Sequence, residues 1–157
     1  MTPGPLLVEV VRGDHVESCH EVDAAVATSD GTVLESWGDP DRLVQPRSSV
    51  KPVQALPLVS TGAADAFGLG PVELALSCAS HDGEDGHVAA VSGWLVRIGC
   101  SVDDLACGTH LPLAESAAAA LLATGDSPSA VANNCSGKHV GFLTVCRHLG
   151  LPTDGYL

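Results

Sequence analysis

The order of patterns along the chain predicts an α+β fold, an antiparallel sheet packed with a helical cluster. Three observations carry it. Short strand-like runs are confined to the stretch ending at Trp37, two of them flank Asp30-Gly31, and after Gly38-Asp39-Pro40 the texture changes to longer segments of helical periodicity.

Taken in order, Leu6 to Val11 reads as a strand, and Val22 to Thr28 with Thr32 to Trp37 reads as a hairpin about Asp30-Gly31. That dipeptide reaches positive φ at little steric cost. Helices are expected at Val50 to Ser60, Pro71 to Ala79, His87 to Ile98, Ala114 to Ala123 and Lys138 to Leu149. Pro71 suits a first helical turn, and Gly99, Gly125 and Gly150 suit helix ends. Val140, Leu143, Val145, Cys146 and Leu149 recur at helical spacing and predict one apolar face. Pro52 biases Lys51 away from helical geometry, and Pro57 predicts a kink. The strands are few for so many helices and no later strand completes the sheet, so the chain is expected to be truncated.

The 157 residues carry a formal charge of −12, with no basic run. This argues against nucleic acid, whose phosphates need clustered Lys and Arg, and against an anionic membrane surface. A small-molecule partner is expected. The N-terminus lacks the charged and apolar regions of a secretory signal, and no apolar run is long enough to span a membrane. Six scattered cysteines lack the spacing of a disulfide scaffold. A reduced, cytoplasmic protein is expected, with five of the six acting as small buried hydrophobes.

Only two lysines occur, and each lies three residues after a potential nucleophile: Ser48-Ser49-Val50-Lys51 and Cys135-Ser136-Gly137-Lys138. A serine hydroxyl is a weak nucleophile until a base takes its proton, and a lysine one helical turn away reaches its Oγ. Burial and a helix N-terminus favour the neutral amine that this role requires. A capped surface helix with a solvated lysine has the same pattern. Arg47 has the fork geometry for a substrate carboxylate, or for an ordinary ion pair.

A polar cluster, Ser80-His81-Asp82-Gly83-Glu84-Asp85-Gly86-His87, follows an apolar segment. Asp82, Glu84, Asp85 and His87 read best as a loop leading into the next helix, whereas Ser80 is expected to face inward and need a partner. Cys135 and Lys138 read either as a reactive thiol beside an amine or as two ligands of a thiolate-preferring metal such as zinc. Further donors would be needed, and His139, His110 and Cys107 are candidates. Asn133, Asn134 and Ser136 can donate and accept hydrogen bonds, and are also ordinary turn and cap residues.

Arg47-Ser48-Ser49-Val50-Lys51-Pro52, Ser80-His81-Asp82-Gly83-Glu84, Cys107-Gly108-Thr109-His110 and Asn134-Cys135-Ser136-Gly137-Lys138-His139 stand in the order found in class 3, zinc-containing L-asparaginases, which the chain resembles over nearly its whole length. The resemblance implies a fold similar to serine β-lactamases and glutaminases, and a homodimer. It implies hydrolysis of L-asparagine to L-aspartate and ammonia through a serine acyl-enzyme. Ser48 and Lys51 match the first Ser-Lys tandem, Ser80 matches the serine of a second, and Cys135 and Lys138 match two zinc ligands. Arg47 and His139 are the candidate substrate-binding residues. Zinc is expected to organise substrate rather than generate hydroxide. Family members are about twice this length, so the resemblance implies that residues 1–157 are the N-terminal portion of a single asparaginase domain, a fragment, with the second tandem's lysine and another cysteine ligand in the part not represented. Two other readings stay open: another Ser-x-x-Lys acyl transferase of β-lactamase or glutaminase type, and an inert metal-binding fragment.

Overall fold

A computed structural model describes residues 3–157. The chain divides into two compact units, one running up to Gln45 and the other spanning Pro46–Leu157.

The first unit is built of two hairpins. Strand β1 (Leu6–Arg12) pairs antiparallel with β2 (His15–Val22), Leu6 opposite Val22 and Arg12 opposite His15, and Gly13 takes the left-handed conformation between them. Strand β3 (Ala24–Ala27) pairs with β4 (Val33–Trp37) across the Asp30-Gly31 turn. There the amide of Thr28 donates to the Thr32 carbonyl at 2.9 Å, and Gly31 donates to Thr28 at 3.0 Å. The later hairpin is where the dipeptide placed it. The early strand, expected to join that hairpin in one small sheet, instead pairs with β2, whose His, Glu and Ser content hides its strand character. The single sheet expected is two separate two-stranded sheets.

The second unit is helical. A 3-10 turn (Arg47–Val50) runs directly into α1 (Lys51–Ser60), followed by α2 (Ala63–Ala66), α3 (Pro71–Cys78), α4 (Asp85–Arg97), α5 (Glu115–Thr124) and α6 (Ser136–Leu149). Each expected helix is present with ends within two residues of those read from the sequence, and only the short α2 has no counterpart there. Helix α3 starts as its sequence dictates. Pro71 occupies the first turn, where no amide is missed, and the Glu73 carboxylate accepts the Gly70 amide at 2.9 Å while pairing with Arg97 at 3.1 Å.

Helix α6 is the centre of this unit, packing against α1, α2, α3 and α4. Val140 and Leu143 are fully buried with Leu58, Val91 and Trp94. Shortening a side chain such as Leu143 to alanine costs about 2–5 kcal/mol. The buried face of α6 differs from the one expected, because Gly137, Gly141 and Ser136 share it while Leu149 is half exposed in the last turn. Small residues let neighbouring backbones come close. A Cβ on Gly137 would lie 2.5 Å from the Leu76 carbonyl oxygen and 2.8 Å from Leu76 Cβ, so only glycine allows the first turn of α6 to rest on α3.

Two further expectations are corrected. Lys51 is helical (φ −55°, ψ −40°) despite Pro52, because the preceding 3-10 turn already aims the chain and the buried amine is fixed by tertiary hydrogen bonds. None of the cysteines is fully buried: Cys19 is exposed, and Cys78, Cys100, Cys107, Cys135 and Cys146 are partly covered, Cys100 and Cys107 packing against the core. Among the described residues no helix is long and apolar enough to cross a membrane.

Candidate active site

Three segments bring the predicted residues together. The 3-10 turn and the start of α1 supply Arg47, Ser48 and Lys51; the bend after α3 supplies Ser80; the start of α6 supplies Cys135 and Lys138. Arg47, Ser48, Lys51, Gln54, Cys135 and Lys138 line one cavity of about 330 Å³. A larger cavity, about 460 Å³, lies along Leu76, Ser80, His81, Asp82 and His87.

Lys51 is the pivot. Its side chain is buried, and its Nζ donates to the Ala79 carbonyl at 2.6 Å and to Ser80 Oγ at 2.8 Å. Among the described residues no carboxylate forms an ion pair with it. The Ser80 hydroxyl in turn donates to Ser48 Oγ at 3.1 Å. The lysine of the Ser48 tandem therefore bonds to the serine of the other motif, 29 residues away, and reaches Ser48 only through it. Ser80 is exposed rather than inward-facing, yet it has the partners its position called for.

Arg47 borders the same cavity in a left-handed conformation (φ +47°), which no other non-glycine residue adopts among those described. Such a conformation costs of order 1–3 kcal/mol and persists where its surroundings fix it. Arg47 is exposed and forms no ion pair among the described residues. Its five donors are open to a ligand.

At the start of α6, Asn133 and Asn134 act structurally. The Asn133 side chain accepts the Cys135 amide at 2.8 Å and donates to the Cys107 carbonyl at 2.9 Å, while the Asn134 amide donates to His110 Nε2 at 3.2 Å. Cys135 sits at the N-cap and Lys138 follows in the first turn, its Nζ 5.8 Å from the Phe142 ring centre. Of the further metal donors considered, burial pushes the Cys107 thiol up, Cys135 adds to this and Lys138 opposes it, while its Sγ faces the Ala130 carbonyl at 3.6 Å. His139 is buried and does not line the 330 Å³ cavity. No group of three His, Cys, Asp or Glu side chains that could hold a metal exists among the described residues. Cys135 and Lys138 thus offer two donors, half a tetrahedral set.

Two residues given no role from sequence support this arrangement. The Tyr156 hydroxyl accepts the Ala106 amide at 2.8 Å and is hydrogen-bonded to His139 Nδ1, also at 2.8 Å. His139 is held neutral, with its pKa lowered to about 4 by burial and by the Lys138 and Lys51 amines. Tyr156 is the chain's one tyrosine, the only signal the sequence carried. His81, beside Ser80, is buried and stacked on His87 with ring centres 5.2 Å apart.

A buried amine bonded to one hydroxyl, with a second hydroxyl beyond it, is an arrangement chemically able to support acyl transfer, in which a base beside a hydroxyl makes it nucleophilic. Residues 8–157 match the L-asparaginase II family, and the chain belongs to that family. Comparison with curated proteins returns no match.

Proposed function

We propose that this chain carries the nucleophilic half of an L-asparaginase of the zinc-containing class 3 type, hydrolysing L-asparagine to L-aspartate and ammonia. One observation carries the reading: the buried Lys51 amine lies 2.8 Å from Ser80 Oγ, within the distance at which a base takes a hydroxyl proton. Membership in the L-asparaginase II family supports the substrate class.

Ser80 Oγ attacks the side-chain amide carbon once its hydroxyl turns from Ser48, its proton passing to the Lys51 amine in the unprotonated form that the step requires. The tetrahedral species collapses by breaking the C–N bond, and Lys51 returns the proton to the departing nitrogen, which leaves as ammonia. Water then attacks the aspartyl ester, giving up a proton to Lys51, and the ester C–O bond breaks as Ser80 recovers its proton. Ser48, 3.1 Å from Ser80, holds the attacking hydroxyl in line and is the second hydroxyl of the site. Arg47 receives the substrate's α-carboxylate as a fork. His139 supports binding from behind Lys138, its next neighbour in α6.

Cys135 and Lys138 would be two of the residues that hold a zinc ion, which would orient substrate in the cavity they line. Further ligands would be needed from other groups, as would the second tandem's lysine, since Lys51 and Lys138 are the two lysines of these 157 residues. A serine β-lactamase-like fold and a homodimer belong to the same proposal, with residues 1–157 forming the N-terminal portion of one domain.

The test is to assay the full-length protein for ammonia release from asparagine and glutamine, and for opening of a chromogenic β-lactam. Preference for asparagine is expected. A preference for glutamine or the β-lactam moves the protein to another Ser-x-x-Lys class, and no turnover with any of them indicates an inert metal-binding chain. Zinc titration is expected to saturate at one ion per chain and to weaken in Cys135→Ser; an unchanged titration removes the metal assignment.

A further inference from the structure

His81 stands between the serine motif and the start of α6, and its proton arrangement follows from its partners. The Gly83 amide donates to Nδ1 at 3.2 Å. A backbone N–H cannot accept, so Nδ1 bears the lone pair and the ring proton resides on Nε2. Nε2 lies 2.8 Å from Ser136 Oγ, whose own proton goes to the Val131 carbonyl at 2.9 Å. The Ser136 oxygen is therefore the acceptor. One residue thus makes two side-chain bonds with opposite demands, which only the neutral imidazole meets. The main chain adds a third, from the His81 amide to the Asn134 carbonyl at 3.1 Å.

We infer that His81 is a positioning residue for the Ser80 hydroxyl: a neutral imidazole that clamps the bend after α3 to the Asn134–Ser136 segment. The clamp fixes two things at once. Ser80 is the residue before it, and Cys135 lies between the two positions it grips on the other side. Lys51 approaches the same bend through the Ala79 carbonyl, so the bend is held at Ala79 and His81 with Ser80 between them. Gly83 completes it in the left-handed conformation (φ +77°), where a Cβ would lie 2.8 Å from the Ala132 carbonyl oxygen. The groups facing the ring agree with neutrality. Burial, then the neighbouring His87 and Lys51, oppose a charge on it; Asp82 favours one and His110 opposes it.

This role rests on Ser80 being the activated serine, and the experiment keeps the two ideas apart. A fluorophosphonate probe is reacted with the full-length protein, and the rate of adduct formation at Ser80 is followed by peptide mass spectrometry. His81→Gln, which keeps a donor where Nε2 stands, is compared with His81→Leu and with Ser136→Ala, each checked by thermal unfolding. His81→Leu is expected to slow labelling roughly 100-fold, the cost of displacing a reacting group by about 1 Å. Ser136→Ala should slow it in the same direction, and His81→Gln should recover most of the loss. Labelling of His81→Leu at the wild-type rate, or equal slowing in His81→Leu and His81→Gln, overturns the positioning role. If His81→Leu does not fold, wild-type labelling in Ser136→Ala overturns it instead. Failure of wild-type Ser80 to react overturns the activation of Ser80 itself.

Discussion

Lys51 Nζ lies 2.8 Å from Ser80 Oγ, and Ser80 Oγ lies 3.1 Å from Ser48 Oγ, so the amine of the Ser48-x-x-Lys51 motif bonds to a serine outside that motif and meets Ser48 only through it. This linear order ranks the substitutions. Lys51→Met and Ser80→Ala should each lower kcat by at least about 100-fold, the lower end of what a positioned base contributes. Ser48→Ala should cost less, because it removes a hydrogen bond to the nucleophile but neither base nor nucleophile. Steady-state ammonia release checks the order, and an Ser48→Ala loss exceeding that of Ser80→Ala would reverse the assignment.

Arg47 is open at the cavity edge, in a strained conformation and without an ion pair among the described residues. Arg47→Lys keeps the charge and loses the fork. KM for asparagine should rise roughly tenfold, about the worth of one charge-assisted hydrogen bond, with kcat changed much less. An unchanged KM would mean that Arg47 does not touch substrate.

Gly137 is the contact point between α6 and α3. In Gly137→Ala the new methyl meets the Leu76 backbone at 2.5 Å, so the helices must separate. A loss of about 1–3 kcal/mol is expected from chemical denaturation, as for other overpacked positions. Because the same separation moves Cys135 and Lys138 away from Ser80, activity should fall even at temperatures where the variant is fully folded. Full activity in the folded variant would show that the site tolerates this shift.

His81 and His139 are both buried neutral, with pKa values lowered to about 4 from the ordinary 6.5, chiefly by burial. The unfolded chain binds protons at these rings between pH 6.5 and pH 4, and the folded chain does not. Their contribution to stability is therefore complete above about pH 6.5, declines as pH falls toward 4, and is gone below it. Within this window the slope is on the order of 1 kcal/mol per pH unit for each ring. Urea midpoints measured across this range should fall on acidification, and His139→Gln should flatten the slope. A midpoint independent of pH here would contradict the buried neutral rings.

Much of this was legible in the sequence. Helical periodicity and glycine stops placed the long helices, since local punctuation decides where a helix starts and ends. The scarcity of lysine singled out Lys51 and Lys138, and both reach one cavity. What stayed hidden was tertiary. The pairing of Lys51 with Ser80 rather than Ser48 depends on how α1 meets the end of α3, which no spacing within a motif encodes. The His81–Ser136 contact joins residues 55 apart, and β2 escaped notice because its polar residues lie on an exposed hairpin.

The activated serine can be identified directly by mixing the full-length protein with asparagine, quenching in acid within a turnover, and locating the aspartyl ester by peptide fragmentation. The ester is expected on Ser80, and it should fail to accumulate in Lys51→Met. An ester on Ser48, or one formed equally fast without the Lys51 amine, would contradict the proposed roles of these residues.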